Sequence, residues 1–134
     1  MICLDTDVAS AILRGGGGPP QLARRLGPLS AATQFTTAIT VGQLLYGARK
    51  RRSEGLERDI EGLLTDEIQV AAFDESAART YSEIRVELEA AGKRLDDADL
   101  RIASICLARD FTLITGNVRH FERVPGLRVE NWLT

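Results

Sequence analysis

Short apolar runs ending in acid or turn residues alternate along the chain with longer stretches whose apolar positions recur every three or four residues. Ile2-Cys3-Leu4 followed by Asp5-Thr6-Asp7 reads as a short buried strand meeting a helix that runs to about Leu13, with Asp7 placed to cap it. Gly15 to Gly18 and then Pro19-Pro20 end that helix, because successive glycines carry a backbone entropy cost and proline cannot continue the ladder. Gln21 to Gly27 predicts a short helix, Thr36 to Ile39 a strand, and Val41 to Arg52 a helix with Leu44, Leu45 and Ala48 toward a core. A helix from Glu54 to Thr65 precedes a strand over Ile68 to Ala71.

Asp74 to Ala91 has the clearest amphipathic pattern, with Tyr81, Ile84, Leu88 and Ala91 on one stripe and Gly92 as the stop. A second long helix is expected from Asp97 to Asp110, then a strand Thr112-Leu113-Ile114-Thr115, a Gly116-Asn117 turn and a last strand around Leu127 to Glu130. Strands alternating with helices imply an α/β fold, a mainly parallel central sheet covered on both faces. Neither a repeat nor a linker interrupts the order, so residues 1–134 are expected to form one domain.

Composition narrows the class. With 44% hydrophobic and 27% charged residues the chain is expected to be a globular cytoplasmic protein, since no apolar stretch is long enough for a membrane span and Asp5 interrupts any leader-like start. Cys3 and Cys106 sit inside apolar runs without CxxC spacing and are expected as buried free thiols. A formal net charge of -2 gives no general attraction to nucleic acid, so an RNA partner requires local basic patches or bound cations.

In open α/β sheets ligands collect beyond the carboxyl ends of the strands, and here those positions are acidic or polar. Asp5 follows the first strand, Thr115 and Asn117 follow a later one, and Asp96 and Asp99 open the helix leading into it. Asp96 and Asp99 share a helical face, where two carboxylates repel unless a helix N-terminus or a cation compensates them. Mg²⁺ suits such oxygen donors. Duller roles stand beside this one: Asp7 and Asp96 as N-caps, Leu95 as a staple onto Leu100, Asp99 as a first-turn acid. Asp5 resists such a reading, because an acid directly after a buried strand is penalised by desolvation unless it has a partner.

Four blocks carry a family resemblance: Leu4-Asp5-Thr6-Asp7; Thr40 to Ala48; Asp96 to Ala103; and Thr115-Gly116-Asn117-Val118-Arg119-His120-Phe121 continuing to Leu127. In this order they resemble the PIN-domain toxins of the VapC type, a likeness that runs from Ile2 to Leu133. The resemblance implies a three-layer α/β/α fold and a homodimeric endoribonuclease that cuts RNA with Mg²⁺ or Mn²⁺ and is neutralised by a VapB-type antitoxin. It places Asp5 and Asp99 as metal ligands, Asp7 at a polar position, and Thr115 and Asn117 among the residues completing the pocket. Gln43 stands where the family motif has Glu, and no carboxylate lies between Thr115 and Phe121, so catalysis is expected to be weakened and a second ion loosely held.

Arg49-Lys50-Arg51-Arg52 would contact RNA phosphates, extended by Arg24-Arg25, or would simply be favoured at a helix C-terminus. His120, the one histidine, is expected as a surface turn residue. Phe121 and Trp132 are expected to pack rather than stack on bases. Two other classes stay open: a catalytically silent PIN module that binds RNA or a partner, and a receiver-like phosphoryl-transfer domain in which Asp5 is modified. The second lacks a lysine after the late strand, where Gly116-Asn117 stands instead.

Overall fold

The computed structural model describes residues 1–134. Five parallel strands form a single sheet: β1 (Ile2–Leu4), β2 (Gln34–Thr37), β3 (Gln69–Ala71), β4 (Thr112–Ile114) and β5 (Val129–Glu130). Their spatial order is β3-β2-β1-β4-β5, so the first strand is central and the chain builds outward from it, first to one side and then to the other. The helices are α1 (Thr6–Leu13), α2 (Pro20–Leu26), α3 (Ala38–Lys50), α4 (Glu54–Asp66), α5 (Glu75–Ala90), α6 (Asp97–Ala108) and the single turn α7 (Val118–Phe121).

Side chains alternate across the strands and divide the core in two. Cys3 and Leu113 face a cluster with Ile84, Leu88, Ile102 and Ile105 of α5 and α6, where Phe35 stacks on Phe111 with centroids 4.6 Å apart. Leu4 and Ile114 face the opposite cluster with Val8, Leu22, Leu44, Ile60, Leu63 and Trp132, which covers the sheet with α1 to α4. This is the α/β/α sandwich expected from the strand and helix alternation. Cys3 and Cys106 are buried free thiols, and burial beside one another pushes the Cys3 thiol up. Phe121 and Trp132 are buried in the two cores, as their apolar neighbours imply. No helix is long and apolar enough to cross a membrane.

Several boundaries differ from the sequence expectation for identifiable reasons. The N-cap of α1 is Asp5, whose carboxylate accepts from the Thr6 amide, and Asp7 lies in the first turn. β2 ends at Thr37, because the Thr37 hydroxyl accepts from the Thr40 amide at 3.1 Å and starts α3 there. Ala38 and Ile39 are therefore helical despite the run of β-branched residues. Ala91 is the exposed C-cap of α5 rather than part of its buried stripe. The Gly116-Asn117 turn feeds α7, a single turn too short for hydrophobic periodicity to register.

Within α3, Gly42 and Gly47 have nothing within 4 Å of the position a Cβ would take. Packing inside the chain does not call for glycine there, although each costs about 0.5–1 kcal/mol of helix stability relative to alanine.

Candidate active site

The carboxyl ends of β1 and β4 lie side by side, with the Asp5 amide donating to the Ile114 carbonyl at 2.9 Å. That pairing brings Asp5, at the head of α1, against Thr115, just past β4. Asp5 is only 6% exposed, and each of its carboxylate oxygens has one donor: Oδ1 the Thr6 amide at 2.8 Å, Oδ2 the Thr115 hydroxyl at 2.8 Å. Burial pushes the Asp5 carboxyl above its ordinary range, while the Thr115 hydroxyl and the Thr6 amide pull it down. Thr115 is itself fully buried and accepts from the Asn117 amide at 3.0 Å, so it stands behind the site and holds Asp5 from there.

Asp7 turns toward the same loop, and its Oδ2 accepts from the Gly116 amide at 2.8 Å. A Cβ on Gly116 would lie 2.8 Å from that oxygen and 3.0 Å from Leu133 Cδ1, so the approach of α1 to the loop after β4 requires glycine. The role expected for Asp7 as a helix cap falls to Asp5, and Asp7 instead ties α1 to the neighbouring strand end.

Asp5, Thr6, Asp7, Ser10, Gln43, Tyr46, Asp99 and Asn117 line one open cavity of about 490 Å³. Gln43 enters from α3 through a chain of hydroxyls. Thr40 Oγ1 lies 3.0 Å from Thr6 Oγ1, and the Thr6 hydroxyl donates to Gln43 Oε1. The carbonyl end of Gln43 is thereby held, and its amide nitrogen is the end left to the cavity.

Asp99 enters from the first turn of α6, whose N-cap is Asp96: the Asp96 carboxylate accepts from the Asp99 amide at 2.9 Å. Burial, with the Asp96 carboxylate alongside, pushes Asp99 up to about 6. His120, expected on the surface, is instead mostly buried on α7, with Nε2 2.8 Å from Asp99 Oδ2. The contact has ion-pair distance without hydrogen-bond alignment, and Nε2 is a buried nitrogen with no hydrogen-bond partner. Ligand atoms of Asp96, Asp99 and His120 lie within 4.8 Å of one another. Only one signal for this was present in the sequence, a histidine one helical turn beyond Asn117, and its meaning depends on a one-turn helix that hydrophobic periodicity does not register.

The cavity lining contains three carboxylates and no lysine or arginine. Aspartates so placed repel one another and any phosphate; burial first, and then the neighbouring carboxylates, raises the proton affinities of Asp5 and Asp99. The donor set of aspartate oxygens, with Asn117 and Gln43 beside them, fits a hard divalent cation. The orphaned His120 nitrogen adds a donor suited to Mn²⁺ and other first-row ions.

The basic run on α3 does not act as one unit. Arg49 pairs with Glu57 at 2.9 Å, and Lys50 lies over the Tyr46 ring at 5.7 Å. Arg51 faces a cleft that shares Gln43 with the acidic cavity, and Arg52 adopts a positive φ of 55° where the chain leaves the helix. Arg25 stacks on Trp132 at 4.5 Å and pairs with Glu130.

Comparison with known proteins agrees with this geometry. The PIN domain family model matches residues 2–127. The tRNA(fMet)-specific endonuclease VapC of Shigella flexneri is 33% identical over 132 residues, 96% of each chain. Among solved structures, DNA-bound VapBC from Salmonella typhimurium superposes with a TM-score of 0.89 at 30% identity, covering 98% of this chain and 99% of that one. VapBC2 from Rickettsia felis bound to a promoter DNA fragment gives 0.88 at 30% identity, with the same two coverages. With the full sheet, the acidic cavity and this level of identity in agreement, the chain belongs to the PIN domain family and, within it, to the VapC ribonuclease toxins of the VapBC toxin-antitoxin systems.

Proposed function

We propose that this chain is a metal-dependent endoribonuclease that binds Mg²⁺ or Mn²⁺ through Asp5 and Asp99, and that Gln43 holds its turnover down. The observation that carries the reading is the convergence of Asp5, Asp99, Gln43 and Asn117 on one cavity that contains carboxylates and no protein cation. A divalent ion bound there offsets charge on the scissile phosphate and lowers the pKa of an attacking water.

The residues of the chain then divide the work. Thr115 and the Thr6 amide fix both oxygens of Asp5, so its carboxylate needs no rearrangement to meet a cation. Asp99, presented from the first turn of α6, would hold the ion opposite Asp5, with Asp96 and His120 close enough to steady the site from its edge. Asn117 presents an amide able to donate to a phosphate oxygen. Gln43 keeps the packing of a glutamate but turns a nitrogen donor toward the cavity, where a carboxylate would both attract the cation and accept a proton from water.

Relatives solved as VapBC complexes support a VapB-type antitoxin as the protein partner. The reading includes a homodimer, which light scattering over a range of concentrations would check; a monomer throughout would remove it. The central experiment is cleavage of a tRNA pool, initiator tRNA included, with Mg²⁺, with Mn²⁺ and with chelator, by this chain and by its Asp99→Asn variant. Cleavage that needs metal and is lost in the variant is expected. Tight RNA binding with no cleavage under either ion, by this chain or by a Gln43→Glu variant, would overturn the reading in favour of a silent binding module.

A further inference from the structure

Beside the acidic cavity a second cleft of about 200 Å³ opens between α1, α3 and α4. Thr6, Ser10 and Gln43 line both, so the two are continuous. Its floor is aliphatic, from Leu13, Leu44, Leu56 and Ile60, and its two cations are Arg14 and Arg51, the C-caps of α1 and α3. Neither guanidinium is paired with a carboxylate, whereas the nearby Arg49 is held by Glu57.

Gly47 also lines this cleft, on a helix whose interior glycine no internal contact explains. A side chain there would project into open space, so the helix gives up stability at a position where the chain leaves room for something outside itself. An occupant must suit two unpaired cations, an apolar floor and direct passage into a site built for a phosphodiester.

We propose that this cleft holds the RNA strand flanking the scissile phosphate, with Arg14 and Arg51 on backbone phosphates and a base or ribose face on the leucine floor. The assignment rests on the ribonuclease reading above and extends it to the residues that position substrate. Guanidiniums bind phosphate in a forked, charge-assisted geometry, and on a chain of net charge -2 a local pair is what offsets the repulsion between RNA and the aspartates. Arg14 and Arg51 are positioning residues, since they stand in the cleft rather than among the reacting groups.

The test is anisotropy of a short fluorescent single-stranded oligoribonucleotide of mixed sequence, bound in Mg²⁺ by full-length protein carrying Asp5→Asn to stop turnover. Steady-state cleavage by the otherwise unaltered chain provides a second readout. Arg14→Ala and Arg51→Ala are each expected to weaken binding about fivefold, and together to reduce the slope of log affinity against log salt by about 1.4, the release expected for two single-strand phosphate contacts. KM should rise with kcat nearly unchanged, and Arg14→Lys and Arg51→Lys should restore most of the affinity. Arg79→Ala, on α5 across the sheet, should change neither. Gly47→Ala should raise Tm while weakening RNA binding, a combination that a purely structural glycine would not give.

An unchanged Kd and salt slope in the double alanine variant would overturn the proposal. So would loss of affinity for a VapB-type antitoxin with RNA binding intact, which would make the cleft a protein-docking surface. Both results are distinguishable from failure of the ribonuclease reading, which is judged by whether the unaltered chain cleaves RNA with metal at all.

Discussion

Replacing Gln43 by Glu changes one atom type and one charge at an exposed position, so fold and packing are retained while the cavity gains a fourth carboxylate. The Thr6 hydroxyl that now donates to Gln43 Oε1 would donate equally to a carboxylate oxygen, leaving the second oxygen where the amide nitrogen stands. A unit charge roughly 4 Å from a divalent ion in a water-like dielectric contributes about 2 kcal/mol, less after salt screening. We therefore expect Gln43→Glu to raise metal-dependent RNA cleavage at least about tenfold, which corresponds to roughly 1.4 kcal/mol. Initial rates should be measured at limiting and at saturating Mg²⁺. A gain confined to limiting metal assigns the carboxylate to occupancy, and a gain that persists at saturation assigns it to the chemical step. The same charge should lower Tm of the metal-free protein by about 2–5 °C through repulsion, given about 1 kcal/mol of destabilisation in a domain of this size, and should enlarge the rise in Tm on adding Mg²⁺. Equal cleavage rates for the two proteins at both metal levels would refute the reasoning.

Thr115→Val preserves shape but leaves Asp5 Oδ2 and the Asn117 amide each without a partner; a loss of about 1–3 kcal/mol in denaturant unfolding and a fall in kcat are expected. Gly116→Ala forces a Cβ against Asp7 and Leu133, and should cost about 1–3 kcal/mol in the same measurement, with part of the loss recovered in a Gly116→Ala, Asp7→Ala double variant. The raised Asp99 also sets a pH dependence. Between its unfolded value near 4 and about 6 the folded metal-free protein holds a proton that the unfolded chain has released. Its contribution to stability is thus present at low pH and lost as pH rises through this window. Metal affinity should move the opposite way, rising from pH 5 to 7; calorimetric titration with Mn²⁺ that shows no such rise would contradict the assignment of Asp99.

The layered fold was legible because each local pattern agreed with it: Ile2-Cys3-Leu4 and Leu113-Ile114 are too short and too apolar for anything but buried parallel strands, and Ile84 and Leu88 lie on one helical stripe. What was misplaced lay where side-chain caps decide. Thr36 to Ile39 looks extended by composition, yet the Thr37 hydroxyl turns it into a helix start, and Asp5 rather than Asp7 caps α1 because the strand ends one residue before it. Within the candidate site, Asp5 and Asn117 were readable from their positions after strands, and Asp99 from its place at the head of a helix leading into one. The partnership of His120 with Asp99 was not, because it depends on how α7 folds back onto α6 and no local period reports that. Nor does the run Arg49 to Arg52 reveal that Glu57 occupies its first member while Arg51 turns to the cleft.

The central place of β1 has a consequence for biosynthesis. Asp5 is among the first residues made, but the hydroxyl that orients it belongs to Thr115, 110 residues later, and the strand carrying that hydroxyl pairs with β1 only once it has been translated. Until then the early carboxylate sits beside an open sheet edge, without the Thr115 hydroxyl that fixes it. On the function proposed above, a chain cut short upstream of β4 would therefore lack an assembled site rather than carry a partial one.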